Sequence, residues 1–230
     1  MNILYRETFD DGPGGWYGMI DNFQGIKPLS VRDGIISSYA PWWIDYNHAP
    51  PGAGYLHLLM GLYTRGPLTE AIREYGGRNS FIEQNLPVNF TNLTLSLRLR
   101  GELDLRGAQM ILLIQGHHDG VTSGWLLTGR PIPVTLNWSE PSIQLSGNPD
   151  LWTPLGSRAG RQDYYRSGNL ATTLSDVNVN IYLVLFPLNV VPLGPLTGDP
   201  HVLRAGRDYP VWTSKLPDGY IQVDTFTLQG

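Results

Sequence analysis

The chain contains no cysteine, and this absence removes several kinds of chemistry. Without a thiol the protein can form no disulfide, use no thiolate nucleophile and hold no Cys-ligated zinc or iron–sulfur site. Its five histidines are dispersed along the chain, without the spacing of a zinc-enzyme motif. The sequence therefore predicts no catalytic metal, and it leaves the redox compartment open.

Clusters of positive charge and long hydrophobic runs are absent as well. The formal net charge is −4, and no run of Lys or Arg offsets it locally, so the sequence predicts no nucleic-acid partner and no membrane partner. No apolar stretch reaches the roughly 18 residues that span a membrane. The first residues also lack the basic and apolar regions of a signal peptide. We therefore expect a cytoplasmic protein or a trimmed domain of a secreted one.

Glycine and proline, in contrast, are plentiful and spread along the whole chain. The 27 Gly and 18 Pro residues divide it into apolar segments that are too short for most helices. Hydrophobic residues make up 41% of the 230 positions, which is enough for one β-sandwich core. The sequence predicts an all-β jelly-roll β-sandwich, a single domain over residues 1–230 with at most one or two short helices.

Three segments carry the clearest strand patterns. Residues 93–100 alternate leucine with Thr, Ser and Arg, which predicts a strand with one buried and one solvated face. Residues 109–115 and 177–186 contain continuous apolar runs, which predict central strands covered on both faces. Further strands are predicted at residues 35–39, 55–60, 124–127, 132–136 and 221–228.

One segment has the features of a helix. Residues 68–75 contain helix-forming side chains, with Thr69 placed to cap the first turn. Gly76 and Gly77 follow directly and are expected to end the helix. The pattern predicts one or two turns.

The two ends of the chain share a pattern with a known superfamily. It consists of Phe9, Asp10, Asp11, Gly12 and Trp16 near the N-terminus and of an aromatic segment with an Asp, residues 219–228, near the C-terminus. These segments resemble the first and last strands of carbohydrate-binding modules of the galactose-binding-domain-like superfamily. The resemblance implies a jelly roll whose terminal strands lie side by side and whose ligand is a carbohydrate.

The same resemblance implies a structural calcium ion where the terminal strands meet. Calcium takes about six to eight oxygen ligands. The carboxylates available to it are those of Glu7, Asp10, Asp11 and Asp224. Alternatively, Asp10, Asp11 and Gly12 form an ordinary turn and Asp224 is a solvated strand residue. The residues alone leave both interpretations open.

The densest group of ligand-type side chains lies in residues 42–57. Carbohydrates present hydroxyl edges and apolar C–H faces, so their sites combine flat aromatic side chains with planar polar groups. Each aromatic residue of this segment, taken alone, also fits the sandwich core. The candidate ligand-binding residues here are Trp43, Asp45, His48, Tyr55 and His57.

A second group follows the apolar strand at residues 109–115. Its loop is expected to open at the rim of the sheet, where functional side chains are common. A solvated hairpin without a binding role is the alternative. The candidate ligand-binding residues of this group are Gln115, His117, Trp125 and Arg130.

A third group lies in a polar segment that we expect to be a long surface loop. Arginine beside tyrosine suits carboxylate, phosphate or uronic-acid recognition. The same combination is typical of an anchored loop or a subunit contact. Its members are Trp152, Arg158, Arg161, Asp163, Tyr164, Tyr165 and Arg166.

Two hydrolase mechanisms are not supported. Glu102 and Asp104 begin the Glu-x-Asp-x-x-Glu motif of jelly-roll retaining glycosidases, but Gly107 stands where the second Glu belongs. That mechanism needs two carboxylates. No Gly-x-Ser-x-Gly elbow indicates a serine hydrolase either. A lyase or isomerase that uses His48 or His117 with a tyrosine as acid and base remains an alternative.

The residues taken together favour non-catalytic recognition of a carbohydrate through a polar-aromatic cleft, with no catalytic residue assigned. The alternatives are a carbohydrate-active enzyme and a protein-interaction subunit, because clusters such as Trp42 and Trp43 also serve as interface anchors. No organic cofactor is predicted. The identity of the sugar and the oligomeric state stay open.

Overall fold

Two antiparallel sheets form the framework of the molecule. A computed structural model describes residues 2–21, 25–45, 53–66, 68–158, 162–189, 197 and 215–230. In this part of the chain the first sheet contains β1 (Ile3–Glu7), β4 (Ser30–Arg32), β5 (Ile35–Tyr39), β8 (Thr94–Asp104), β11 (Ser142–Gln144) and β14 (Asp218–Gln229). The second sheet contains β2 (Trp16–Asp21), β3 (Gly25–Lys27), β6 (Trp43–Asp45), β7 (Leu56–Tyr63), β9 (Gln109–His118), β10 (Val121–Leu126), β12 (Thr153–Pro154) and β13 (Asn180–Phe186).

The first sheet is organised around β14. This strand pairs with β8 along its whole length, from Asp218 opposite Asp104 to Gln229 opposite Thr94. On its other side β14 pairs first with β5 and then with β1. The two terminal strands therefore lie side by side, as the resemblance implied.

Strand β8 confirms the predicted alternation of buried and solvated residues. Leu95, Leu97 and Leu99 are buried in the core between the sheets, whereas Ser96 and Arg98 are only half-buried. Successive side chains of a strand point to opposite faces, so the leucine period of two places every second residue in the core. The all-β sandwich predicted from such patterns is confirmed.

Strands β9 and β13 are central in the second sheet, as their apolar runs predicted. The order of this sheet is β12-β10-β9-β13-β7-β2-β3, with β6 also paired to β7. Alternate residues of β13 enter two different clusters: Leu183 packs in the core between the sheets, and Val184 packs on the opposite side of the second sheet. We call the second group, which includes Tyr17, Trp43, Leu58, Leu113, Tyr182 and Val184, the outer cluster.

The predicted helix is confirmed as α1 (Glu70–Gly76), and Thr69 caps it by accepting a hydrogen bond from the amide of Ile72. Two further short helices, α2 (Ser80–Glu83) and α3 (Leu170–Ser175), were not predicted. Both are too short to show a helical hydrophobic period. No helix in the described ranges combines the length and the apolarity that crossing a membrane requires.

The strand predicted at residues 132–136 was wrong. Pro131 and Pro133 lack backbone N–H groups, so this stretch cannot form a regular ladder. It crosses from the second sheet to the first instead, where the carbonyl of Thr135 accepts a hydrogen bond from Gly101 of β8. Leu136 is 63% exposed as a result.

The different burial of two leucines gives a direct test of this fold. We expect Leu97→Ala to lower the free energy of unfolding by about 2–5 kcal/mol, because it removes a core side chain between the sheets. Leu136→Ala serves as the matched control and should change it by about 0.5 kcal/mol or less. Urea unfolding of both variants measures these changes. Equal losses would contradict the assignment of the two positions.

Candidate functional site

A pocket of about 730 Å³ opens on the outer side of the second sheet. Its floor is formed by β7, β9 and β13, and part of its wall by β6 and by residues that follow β12. This volume is within the range of small-molecule sites, about 300–1,000 Å³. The polar and aromatic side chains that line it are Trp43, Asp45, Tyr63, Arg65, Gln115, His117, Thr122, Arg158, Tyr164, Tyr165, Asn178, Asn180 and Tyr182.

Members of all three predicted groups meet in this pocket although they are far apart in the sequence. The members from the first group lie on strand β6, and those from the second lie on strand β9. The members from the third lie in the segments on either side of residues 159–161. The predicted ligand-binding residues among them are Trp43, Asp45, Gln115 and His117, and the third group contributes Arg158, Tyr164 and Tyr165.

Strand β10 holds the third group beside the pocket. The amide of Thr122 donates to the carbonyl of Tyr164 at 2.7 Å, and the amide of Arg166 donates to the carbonyl of Thr122 at 3.2 Å. Thr122 and Tyr165 thereby form a parallel bridge. The rings of Tyr164 and Tyr165 contact each other edge to face, with centroids 4.7 Å apart. A segment that the sequence showed only as polar loop is thus fixed by backbone hydrogen bonds.

The alternation of side chains decides which strand residues form the floor. On β9, Gln115 and His117 share the face that points into the pocket. On β13, Asn180 lies opposite Gln115 on one side and opposite Tyr63 of β7 on the other. Tyr63, Asn180 and Gln115 therefore form one polar row across three neighbouring strands.

Hydrogen bonds among three buried side chains support the floor of the pocket. The hydroxyls of Tyr17 and Tyr182 are 2.7 Å apart, and the side-chain amide of Asn180 donates to the hydroxyl of Tyr182 at 3.3 Å. Burial raises the pKa of Tyr17 and of Tyr182 well above the usual value, so both stay neutral. A Cβ atom on Gly61 would overlap the ring of Tyr182, so the glycine makes room for this ring.

His117 is positioned by two neighbours. Its Nδ1 lies 2.9 Å from the hydroxyl of Thr122. Its backbone amide donates to the side chain of Asn178 at 2.7 Å, and its carbonyl accepts from the same side chain at 3.1 Å. The imidazole also contacts the ring of Tyr164, with centroids 5.1 Å apart. The ring is therefore presented to the pocket in a defined orientation.

Charged side chains lie at the sides of the pocket. The guanidinium of Arg65 donates to the carbonyls of Phe81 and Leu86 at 3.2 and 2.6 Å, so it is engaged in holding the backbone. The guanidinium of Arg158 lies over the ring of Tyr165, 4.8 Å from its centroid. Asp45 is the one carboxylate among the described lining residues, and it is buried.

Two other predicted ligand-binding residues face the core between the sheets. His57 lies between Leu56 and Leu58, which belong to the outer cluster, so its own side chain points the other way. There its ring contacts Trp42, with centroids 5.9 Å apart, and burial lowers its pKa to about 4. Tyr55 is likewise a residue of this core. The ligand-type residues of this segment therefore lie on two different faces of the second sheet, one at the pocket and one at the core between the sheets.

The remaining predictions also fall outside the pocket. Trp125 lies opposite Ile114 of β9 and packs against the core between the sheets. Arg130 is exposed in the turn after β10. His48 lies outside the described residues.

The sequence interpretation missed several floor residues. Residues 177–182 read Val-Asn-Val-Asn-Ile-Tyr, an alternation that places Asn178, Asn180 and Tyr182 on one face. This signal was present but was read only as part of an apolar strand. Tyr63 and Arg65, at and just after the end of β7, had no comparable signal.

At least two of the four carboxylates near the termini have partners within the protein. Asp224 pairs with Arg98 at 2.9 Å, and Glu7 accepts the amides of Thr8 and Phe9. Within the described ranges, no three Asp, Glu or His side chains are grouped as metal ligands. Calcium binding at this place stays a prediction.

The fold and the pocket define an all-β sandwich with an aromatic and amide-rich site on one sheet. No protein-family model matches the chain, and no curated protein does. Among solved structures it is similar to the L4b domain of human laminin α2, with a TM-score of 0.41, 9% identity and coverage of 98% of this chain and 97% of that one.

A second similar structure comes from work on endo-acting O-glycanases that human gut bacteria express to initiate mucin breakdown. Its TM-score is 0.39, its identity is 12%, and the alignment covers 99% of both chains. At these values the two similarities assign no function.

The buried imidazole of His57 predicts a pH dependence of stability. Its pKa is about 4 in the folded protein against 6.5 for the free side chain, so the unfolded chain binds this proton more readily between those values. The free energy of unfolding should therefore fall as the pH is lowered through this window, by about 3 kcal/mol in total.

Urea unfolding of the wild type and of His57→Leu from pH 4 to 7 measures this dependence. The variant has no imidazole to protonate at this position. Its free energy of unfolding relative to that of the wild type should therefore rise as the pH falls. Parallel curves for the two proteins would show that His57 is not responsible.

Proposed function

We propose that this domain binds a carbohydrate in the pocket on the second sheet and does not modify it covalently. The observation that carries the proposal is the composition of one cavity of about 730 Å³, where aromatic rings alternate with planar polar groups. Tyr164 and Tyr165 form a wall, and Gln115 and Asn180 lie on the floor. Such a combination suits a ligand with apolar C–H faces and hydroxyl edges.

Aromatic rings and amide side chains contact different parts of a sugar. Aromatic faces bury the C–H surface of a sugar at little conformational cost, because their side chains have few rotatable bonds. Amides offer a donor and an acceptor in one plane and so match neighbouring hydroxyls. His117 is already held by Thr122 and Asn178, so its side chain loses less conformational entropy when a ligand binds.

Tyr164 provides the test of this proposal. It is half-buried at the wall of the pocket, and its ring contacts His117. We expect Tyr164→Ala to weaken glycan binding roughly tenfold or more through lost ring contact, with a small change in stability. Tyr39→Ala is the matched control, because Tyr39 is an exposed tyrosine on the first sheet.

Binding is measured by a glycan array followed by isothermal titration calorimetry. If neither array nor calorimetry detects a glycan for the wild type, carbohydrate recognition is wrong, and an interaction subunit becomes the better hypothesis. If Tyr39→Ala and Tyr164→Ala weaken binding equally, the site is not this pocket.

One contact favours an enzyme as the second candidate. The imidazole of His117 lies against Tyr164 inside the pocket, which places two groups capable of acid–base catalysis together. Hydrolysis by a carboxylate pair has less support, because Asp45 is the single carboxylate among the described lining residues. A lyase or isomerase would therefore use His117 and a tyrosine.

Analysis of the recovered glycan separates the two candidates. Under the binding proposal, the wild type should return the glycan unchanged after prolonged incubation. A cleaved or rearranged product that disappears with His117→Gln would instead establish the enzyme. Mass spectrometry and absorbance of newly formed double bonds detect these products.

A further inference from the structure

One wall of the pocket is a continuous row of cationic and aromatic side chains. The guanidinium of Arg158 lies over the ring of Tyr165, 4.8 Å from its centroid. The rings of Tyr165 and Tyr164 have centroids 4.7 Å apart, and those of Tyr164 and His117 are 5.1 Å apart. All four residues line the same cavity. Two nitrogen-bearing groups therefore flank a pair of aromatic rings along this wall.

The formal charges of the described lining residues do not balance. Arg65 and Arg158 are both cationic, whereas Asp45 is the one carboxylate among them. Pairing of Asp45 with either guanidinium still leaves one positive charge in excess, even with His117 neutral. The hydrogen bonds of Arg65 go to backbone carbonyls, which are neutral and do not offset its charge. This excess is local, because the whole chain has a formal net charge of −4, and a cleft with excess positive charge attracts anions.

The imidazole of His117 provides a hydrogen-bond donor at one end of the wall. Its Nδ1 lies 2.9 Å from the hydroxyl of Thr122, and its Nε2 has no hydrogen-bond partner in the described part of the chain. When the hydroxyl donates to Nδ1, the proton of the neutral imidazole is on Nε2. When the imidazole is protonated, both nitrogens donate and the ring adds a further positive charge. In both of these states Nε2 has an N–H group for an acceptor on a ligand.

A buried donor of the pocket also lacks an acceptor. The indole nitrogen Nε1 of Trp43 has no hydrogen-bond partner within the described ranges, and Trp43 is 6% exposed and lines the pocket. An indole N–H can only donate. A buried donor without a partner is costly and rare in folded proteins. A ligand that brings an acceptor satisfies it, after a rotamer change of neighbouring side chains of the kind that is common on binding.

A carboxylate meets these requirements better than a hydroxyl does. It offers two acceptor oxygens, and its charge offsets the positive excess of the lining. A guanidinium matches the two oxygens with two parallel N–H groups. A sugar that carries a carboxylate also has apolar C–H faces, which suit contact with the tyrosine rings of the wall. The ring and the acid group of such a sugar therefore have separate partners in the pocket.

We propose that this pocket binds acidic sugars, uronates or sialates, more tightly than neutral sugars, an inference that rests on the proposed carbohydrate-binding function. The carboxylate of the ligand pairs with the guanidinium of Arg158 at the wall, and the sugar ring contacts Tyr164. Other oxygens of the ligand accept from Nε2 of His117 and from Nε1 of Trp43. The charge of Arg65 adds to the attraction at longer range.

The test compares trigalacturonate and sialyllactose, each with its own methyl ester, by isothermal titration calorimetry. The ester keeps the sugar and removes the charge, so each pair isolates the contribution of the carboxylate. We expect the wild type to bind at least one acid roughly 10- to 100-fold more tightly than its ester, as a charged hydrogen bond provides. The two pairs distinguish a uronate from a sialate as the source of the carboxylate.

Two arginine variants locate the preference within the molecule. Arg158→Gln should reduce the preference for the acid to about threefold or less, because the carboxylate then loses its charged partner. Arg32→Gln is the matched control, since it removes the same charge from an exposed side chain on β4 of the first sheet. It should keep the preference of the wild type, because an exposed charge outside the pocket is screened by salt. Affinity for the methyl esters should change by less than about threefold in both variants, which separates loss of the charge from loss of the pocket.

The outcomes separate this inference from the proposed function. If the wild type binds each ester as tightly as its acid, or binds only neutral glycans of the array, the preference for acidic sugars is wrong and carbohydrate recognition stands. This comparison decides the matter even where Arg158→Gln does not fold. A preference that survives Arg158→Gln as fully as Arg32→Gln would also overturn the inference. Absence of binding to any glycan would overturn both, and a preference lost with Arg158→Gln alone supports the inference.

Discussion

Strands β9 and β13 are covered on both faces, and the pocket depends on this double burial. One face of each strand packs in the core between the sheets, and the other carries the outer cluster and the floor of the pocket. Because side chains alternate, a residue such as Ile114 stabilises the fold while its neighbour Gln115 is available to a ligand. The central strands of the second sheet thus form part of the candidate site themselves.

Building the site on central strands has an electrostatic consequence. Tyr17, Tyr182 and Asn180 are buried and linked by hydrogen bonds, and burial penalises charged groups far more than neutral ones. The charged side chains Arg65 and Arg158 are engaged at the walls with carbonyls and with an aromatic ring. The result is a floor of neutral side chains with charged side chains at the walls.

Much of the framework could be predicted because its signals are local. The leucine alternation of β8, the apolar runs of β9 and β13 and the Thr69 cap of α1 each depend on a few consecutive residues. The prediction failed at residues 132–136, where Pro131 and Pro133 interrupt backbone pairing despite an apolar composition. Of the predicted ligand-binding residues, Trp43, Asp45, Gln115 and His117 line the pocket, whereas His57 and Trp125 face the core.

The sequence by itself determined the class of fold, the paired terminal strands and the kinds of side chain available to a site. Only the tertiary structure decided which of those side chains meet. Pairing between β9, β13 and β7 aligns Gln115, Asn180 and Tyr63, and the bridge to Thr122 adds Tyr164 and Tyr165. These contacts join segments far apart in the chain, and the pairing of strands decides which of their residues become neighbours on one face of the sheet.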